Sequence, residues 1–536
     1  MQWPESITGL IVEETHFDNR KLKCFADRPA SVNAMFAEAM LRNPSAEAVV
    51  AGTDQRLTYK QLDIRVTEIA AGLSQHGVKR GDRVAMLVSN RIEFLVVLLG
   101  TLRTGAIAVP INVREQTPEL TYILNHCGAM ILIHDREISH KLPNQNDLQH
   151  LRYRFSIDGP IDNSNDFSEL LITAPTIKPI DSTEEDVAVI LYTSGTTGLP
   201  KGAMLTNFNI VHSTMHFELC MGMKDGERSL LAVPASHVTG LVAILATMLR
   251  VAGCSVIMST YDAQEFLVIA EREKITQTLM VPAMYNLFLL RCNTADYDLS
   301  AWRIGGYGGA PMPESTIEAL SQQLPRLVLI NAYGSTEATS PATMLPPGTG
   351  ATRSDSVGIA LPCADIRVVD KQGQNVADGE HGELWIGGPM IVPGYWNNPE
   401  KTAEEFHNGY WKSGDIGSRD KHGFFKLHDR RKDMIIRGGY NIYSAEIENA
   451  ITAIDGIVEC AAVGRPDPVL GEKTDVIVYT EKSTVTAEQV IQHCSEILAD
   501  YKVPDFITFT PDPLPRNANG KIIKRALRAS ENNKPS

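Results

Sequence analysis

A run of apolar β formers, Val187–Tyr192, ends abruptly in a loop of glycines and hydroxyls: Thr193, Ser194, Gly195, Thr196, Thr197 and Gly198, with Lys201 just beyond. The two glycines allow positive φ and let backbone approach a ligand closely. Four hydroxyls supply donors, and successive N–H groups in such a loop form an anion-binding nest. Lys201 adds a cation, and the whole suits the β- and γ-phosphates of a nucleotide. It is not a Walker A loop, which needs Gly-Lys followed by Ser or Thr where Pro200-Lys201-Gly202 stands. Composition alone leaves a Gly/Ser/Thr-rich surface turn open as well.

Short β runs and helical stretches alternate through the first half. Arg83–Asn90, Ala106–Ile111 and Ala129–His134 read as strands and Glu93–Leu102 as a helix, which favours a mainly parallel, layered α/β body. Residues from about Asn144 to Glu185 are polar and turn-rich and read as a peripheral connection. Beyond Arg430, Ile457–Val463 and Asp475–Thr480 read as strands. Thr486 and Gln489 offer a capping box ahead of Val490, Ile491, Cys494, Ile497 and Leu498 at helical spacing. The expected organisation is α/β: a large N-terminal body, residues 1–430, and a smaller, mobile α+β C-terminal domain, residues 431–536.

Over 536 residues, 43% apolar and 21% charged content is ordinary for a globular protein. The net charge of −14 argues against nucleic acid or an anionic membrane as partner. The apolar stretches near Phe94–Leu102 and Gly240–Leu249 are too short to span a bilayer. Met1–Leu10 has no cationic region before an apolar stretch and is not a secretory signal. The eight cysteines are scattered with no CxxC pair, which points to reduced thiols in a cytoplasmic protein and away from a zinc site.

Residues 192–207, YTSGTTGLPKGAMLTN, resemble the signature of the adenylate-forming enzymes: acyl- and aryl-CoA synthetases, peptide-synthetase adenylation domains and firefly-type luciferases. The likeness continues in order through Leu57-Thr58-Tyr59, GGAP (308–311), YGSTE (333–337), GELWIGGP (382–389), GYWKSGDIG (409–417), DRRKDMIIRGGYNIY (429–443) and PRNANGK (515–521).

The resemblance implies an ATP-dependent acid–CoA ligase. A carboxylate is a poor electrophile, and its anhydride with AMP supplies a good leaving group. By resemblance, Thr336 meets the α-phosphate, Glu337 holds Mg²⁺, and Gly308, Gly309, Ala310, Tyr333 and Gly334 receive the adenine. Asp415 and Arg430 take the ribose, and Lys521 bridges carboxylate and α-phosphate from a flexible Asn/Gly-rich stretch. Lys432 matches the hinge position, and Gly438 with Gly439 the lining of a pantetheine tunnel. His237, Val238, Thr239, Gly240, Ala243 and Tyr307 would surround the acyl group, with small residues leaving room. Ser236 stands where an aromatic commonly precedes the histidine, and Asn517 where threonine is common. The charge-free stretch Val238–Leu249 favours an apolar aliphatic or aryl monocarboxylate, although it reads equally as a core helix. The expected cofactors are ATP, Mg²⁺ and coenzyme A as co-substrate. The expected partners are a small carboxylate and CoA, with a homodimer as the assembly considered. The alternatives are an acyl-AMP ligase loading a carrier protein and a non-catalytic nucleotide-binding regulator.

Overall fold

The computed structural model describes residues 2–17, 19–173, 180–193, 199–438, 440–480, 485–517 and 520–531. The chain forms two compact units, Met1–Ile366 with Ile386–Trp411, and Arg367–Trp385 with Lys412–Ser536. The second unit therefore starts ahead of residue 431 and takes in an earlier segment.

In the first unit, β1 (Arg83–Leu87), β2 (Ile107–Pro110), β3 (Ile131–Asp135), β4 (Tyr153–Ile157), β5 (Val187–Thr193) and β6 (Lys201–Thr206) belong to one seven-stranded sheet, in the order β6-β5-β2-β1-β3-β4 with Asn165–Asp166 at the edge. The pairs are parallel apart from the β5–β6 hairpin. The expected strands and the helix Ile92–Arg103 form. The helix packs closely on Tyr59–Gln75: a Cβ on Gly100 would lie 2.6 Å from Ile69 Cγ2. The reading of Asn144–Glu185 as merely peripheral is corrected by β4, which pairs with β3 and buries Phe155 completely. The polar, turn-rich sequence around it hid it. Arg154 is buried because its Nη2 donates to Pro143 O at 2.8 Å, and a buried polar group is tolerated when so partnered.

The other sheet of this unit contains β7 (Arg228–Leu231), β8 (Cys254–Ile257), β9 (Gln277–Met280), β10 (Ile304–Tyr307), β11 (Val328–Ser335) and β12 (Ser340–Met344). Strands β8, β7, β9, β10 and β11 lie side by side and parallel. Strand β12 returns antiparallel to β11, with a register shift at Tyr333/Gly334. Chain leaving the carboxyl ends of β7, β9, β10 and β11 thus emerges along one edge, where open α/β sheets bind ligands.

In the second unit β13 (Tyr410–Arg419, begun in the first) pairs antiparallel with β14 (Phe424–Arg430). The strands β15 (Ile435–Arg437), β16 (Glu459–Asp467), β17 (Gly471–Tyr479) and β18 (Phe506–Thr510) make a smaller mixed sheet. The helix Ala487–Ile497 starts at the expected Thr486/Gln489 capping box and buries Val490 and Cys494 against Ile447 and Val476. All eight cysteines are free. Among the described residues no helix is long and apolar enough to cross a membrane.

Candidate active site

Two glycines shape the edge where β10 and β11 end. A Cβ on Gly308 would lie 2.4 Å from Ala332 O, and one on Gly334 only 1.3 Å from Ser340 O. Only glycine fits either place, so the chain at Gly308 and at Gly334 is drawn tightly against neighbouring backbone. The turn after Glu337 holds Thr339 and Ser340 at φ +49° and +93°, a strain offset by Thr339 Oγ1 donating to Met390 O at 2.8 Å.

Glu337 is 7% exposed. Its backbone oxygen accepts from Val392 N at 3.0 Å, and its Oε1 accepts from Tyr395 Oη at 2.9 Å. The same Oη lies 2.5 Å from Glu405 Oε2, and Lys201 Nζ contacts both Glu405 oxygens, at 2.6 and 2.9 Å. Burial and the two carboxylates push the Tyr395 phenol far above its ordinary pKa, so it stays a donor. Tyr395 and Glu405 escaped the sequence reading: Tyr395 lies 58 residues from Glu337, and GYWNNP looks like no more than a turn.

Thr193 and Lys201 face each other at the mouth of the β5–β6 hairpin. Ser194, Gly195, Thr196, Thr197 and Gly198, where the phosphate loop was expected, lie outside the described residues. The Lys201 charge, expected on phosphate, is balanced by Glu405.

His237 follows β7. The Thr239 N–H donates to its Nδ1 at 3.3 Å, which assigns the ring hydrogen to Nε2. Burial holds its pKa down at about 4, so the ring is a neutral Nε2–H donor at neutral pH. Thr239–Ala246 winds as a π-helix, a form common at functional sites. Val238 and Ala243 are buried along it, and Tyr307 is 2% exposed with its phenol pushed up to about 12 by burial. The room expected at Gly240 is filled: a Cβ there would meet Pro234 O at 2.3 Å. Its smallness serves packing.

In the second unit, Asp415 and Arg430 form a direct cross-strand pair, Nε to Oδ1 3.2 Å. Lys432 follows in a turn closed by Asp433 N and Met434 N on Arg430 O. Arg528 Nη2 donates to Lys432 O at 3.2 Å, and burial lowers the Lys432 pKa. The described parts of the Lys521 loop are tied down. Lys521 N donates to Asn517 Oδ1 and Asn517 N to Lys521 O, both at 2.9 Å, while Arg516 Nη1 donates to Gly520 O at 2.6 Å. The residue as a whole is exposed, yet burial of its ammonium lowers its pKa to about 8; the Arg430 and Lys432 cations act in the same direction and Asp415 and Asp433 oppose them. Five residues taken from three motifs thus share one electrostatic neighbourhood. Gly438 has φ +58°, and Gly439 lies outside the described residues.

A family profile described as AMP-binding enzyme matches residues 36–396, and one described as AMP-binding enzyme C-terminal domain matches residues 446–521. Residues 397–445 lie between the two matches. A feruloyl-CoA synthase of Amycolatopsis sp is 36% identical over 91% of this chain and 96% of its own length. The long-chain-fatty-acid–CoA ligase FadD13 of Mycobacterium tuberculosis is 32% identical over 93% and 98%. The o-succinylbenzoate coenzyme A synthetase of Bacillus subtilis, solved in complex with ATP and magnesium ion, superposes with a TM-score of 0.82 at 28% identity, over 92% of this chain and 99% of that one.

Proposed function

The chain belongs to the AMP-binding enzyme family and is an AMP-forming acid–CoA ligase, and we propose that its acid is an apolar aliphatic or aryl monocarboxylate. Carboxylate and ATP give acyl-AMP and pyrophosphate; CoA then gives acyl-CoA and AMP. The observation that supports the assignment of residues is that the segments carrying His237, Gly308–Ala310 and Tyr333–Glu337 follow the carboxyl ends of neighbouring parallel strands.

Both reactants of the first step are anions, so the protein's part is positioning and charge stabilisation. Gly308, Gly309, Ala310 and Tyr333 would receive adenine, and Asp415, aligned by Arg430, would accept from the ribose hydroxyls. Thr336 would donate to the α-phosphate, and Thr193 with Lys201 would anchor the loop for the outer phosphates. Glu337 fits Mg²⁺: it is a hard oxygen donor whose Oε1 is held by Tyr395. Bound there, the ion would neutralise phosphate charge. Lys521 would bridge the substrate carboxylate and the α-phosphate. His237 would present Nε2–H toward the acyl group, between Thr239, Val238, Ala243 and Tyr307. No arginine or lysine lies in Val238–Leu249, which disfavours a second carboxylate on the acid.

For the second step we take residues 431–536 as the moving part, with Lys432 as pivot and Gly438 and Gly439 lining the pantetheine path. The CoA thiol brings its own nucleophile. The test is pyrophosphate release across short, medium, long and aryl acids, with and without CoA. CoA-dependent AMP release with an apolar acid supports the reading; release with dicarboxylates only, or with no acid, overturns it.

A further inference from the structure

Glu337 is joined to the base of the β5–β6 hairpin by a compact chain of side chains, buried at Glu337 and Tyr395 and half-buried at Lys201 and Glu405. Tyr395 is pinned by backbone: Met204 N donates to Gly394 O at 3.1 Å and Trp396 N to Gly202 O at 2.8 Å, either side of the Ala203–Tyr395 bridge. Its ring carries Lys201 Nζ 4.4 Å from the centroid. Its Oη meets Glu337 Oε1 at 2.9 Å, Glu405 Oε2 at 2.5 Å and Lys201 Nζ at 3.1 Å. The hydroxyl has one hydrogen for two carboxylates. Its shorter contact is with Glu405, but the Lys201 ammonium also serves both oxygens of Glu405, so Glu405 does not depend on that hydrogen alone and the hydroxyl can turn it to Glu337.

We propose that Tyr395, set in place by the Lys201–Glu405 pair, is a positioning residue that fixes the Glu337 carboxylate for the divalent cation and couples that carboxylate to Lys201 at the base of the β5–β6 hairpin. Lys201 then acts through the scaffold and not as a phosphate ligand. The inference rests on the assignment of Glu337 to the metal. A partner of this kind, one shell outside a metal ligand, typically changes metal affinity by about 10–100-fold when removed.

The test is Tyr395→Phe, which keeps the ring, its packing and its contact with Lys201. Mn²⁺ binding to the enzyme–ATP complex is read from the electron paramagnetic resonance of free Mn²⁺, alongside the Mg²⁺ dependence of pyrophosphate exchange. The expected result is Mn²⁺ affinity weakened about 10-fold or more, with kcat largely restored at saturating Mg²⁺. A merely structural tyrosine would lower kcat at every Mg²⁺ concentration, and unchanged Mn²⁺ affinity overturns the proposal. Should Tyr395→Phe fail to fold, Glu405→Gln, which removes the charge that holds Lys201, carries the same expectation and the same refutation. The metal readout needs no acid substrate. If no acid supports turnover while Mn²⁺ affinity still depends on Tyr395, the ligase reading fails and this one stands.

Discussion

Asp415 and Arg430 stand opposite each other on two antiparallel strands, with the guanidinium Nε 3.2 Å from the carboxylate Oδ1. The strand pairing fixes this geometry, so in the proposed role the carboxylate is already oriented for the ribose diol. Asp415→Ala removes a carboxyl acceptor paired with Arg430 from a position 7% exposed. Hydrogen bonds to charged groups contribute about 1.5–3 kcal/mol, so AMP affinity by calorimetry falls roughly 10–100-fold while the fold persists. Affinity within twofold of wild type would remove Asp415 from the nucleotide site.

Lys521 carries a pKa lowered to about 8. In the proposed role adenylation needs its charged form, which predominates below pH 8 and is lost as pH rises through it. The kcat/KM for adenylation therefore falls on the alkaline side with an apparent pKa near 8. Lys521→Ala abolishes that limb and lowers pyrophosphate exchange by about 10²–10³-fold, with an unchanged circular dichroism spectrum. An unaltered alkaline limb in the variant would assign the titration elsewhere.

The α/β layering, the Thr486 capping box and the chemistry-bearing motifs were legible because each rests on local spelling: an apolar run, a cap three residues from its partner, a glycine before a hydroxyl. Three features were not. Strand β4, a short alternating run YRFSI, sits in a polar, turn-rich stretch and carries a buried arginine, Arg154, on Pro143 O. The role of Gly240 depends on Pro234 O lying 2.3 Å from a Cβ built there, a tertiary fact. Tyr395 and Glu405 reach Glu337 and Lys201 from far along the chain, so no window of sequence holds the set.

Gly334 and Gly309 lie at the ends of adjacent strands but answer to different constraints. A methyl on Gly334 would overlap Ser340 O, whereas Gly309, at φ +78°, has its nearest neighbour 3.8 Å away. Gly334→Ala therefore forces β11 and β12 apart and costs more than about 3 kcal/mol, with insoluble or inactive protein as the outcome. Gly309→Ala meets only backbone strain, about 1–2 kcal/mol. Denaturant midpoints for the two variants measure the difference; equal midpoints would refute the close contact at Gly334.

Three histidines of the first unit are held neutral by burial, His212 near pKa 3 and His216 and His237 near 4. The unfolded chain takes up these protons near pH 6.5, which the folded chain refuses until about pH 4 or below. The stability due to their neutrality is whole above pH 6.5 and drains away as pH falls toward 4, by up to about 1.4 kcal/mol per pH unit for each histidine. His212 isolates the effect. Its Nδ1 bonds Phe208 O within its own helix at 2.9 Å, its Nε2 is buried with no partner among the described residues, and its ring stacks on Phe25 with centroids 5.8 Å apart. His212→Phe keeps an aromatic ring there and removes the titration. Urea unfolding at pH 7 and pH 5 should show a smaller loss of stability in the variant than in the wild type, by about 1.4–2 kcal/mol over that interval. Equal losses would place the acid sensitivity in other groups.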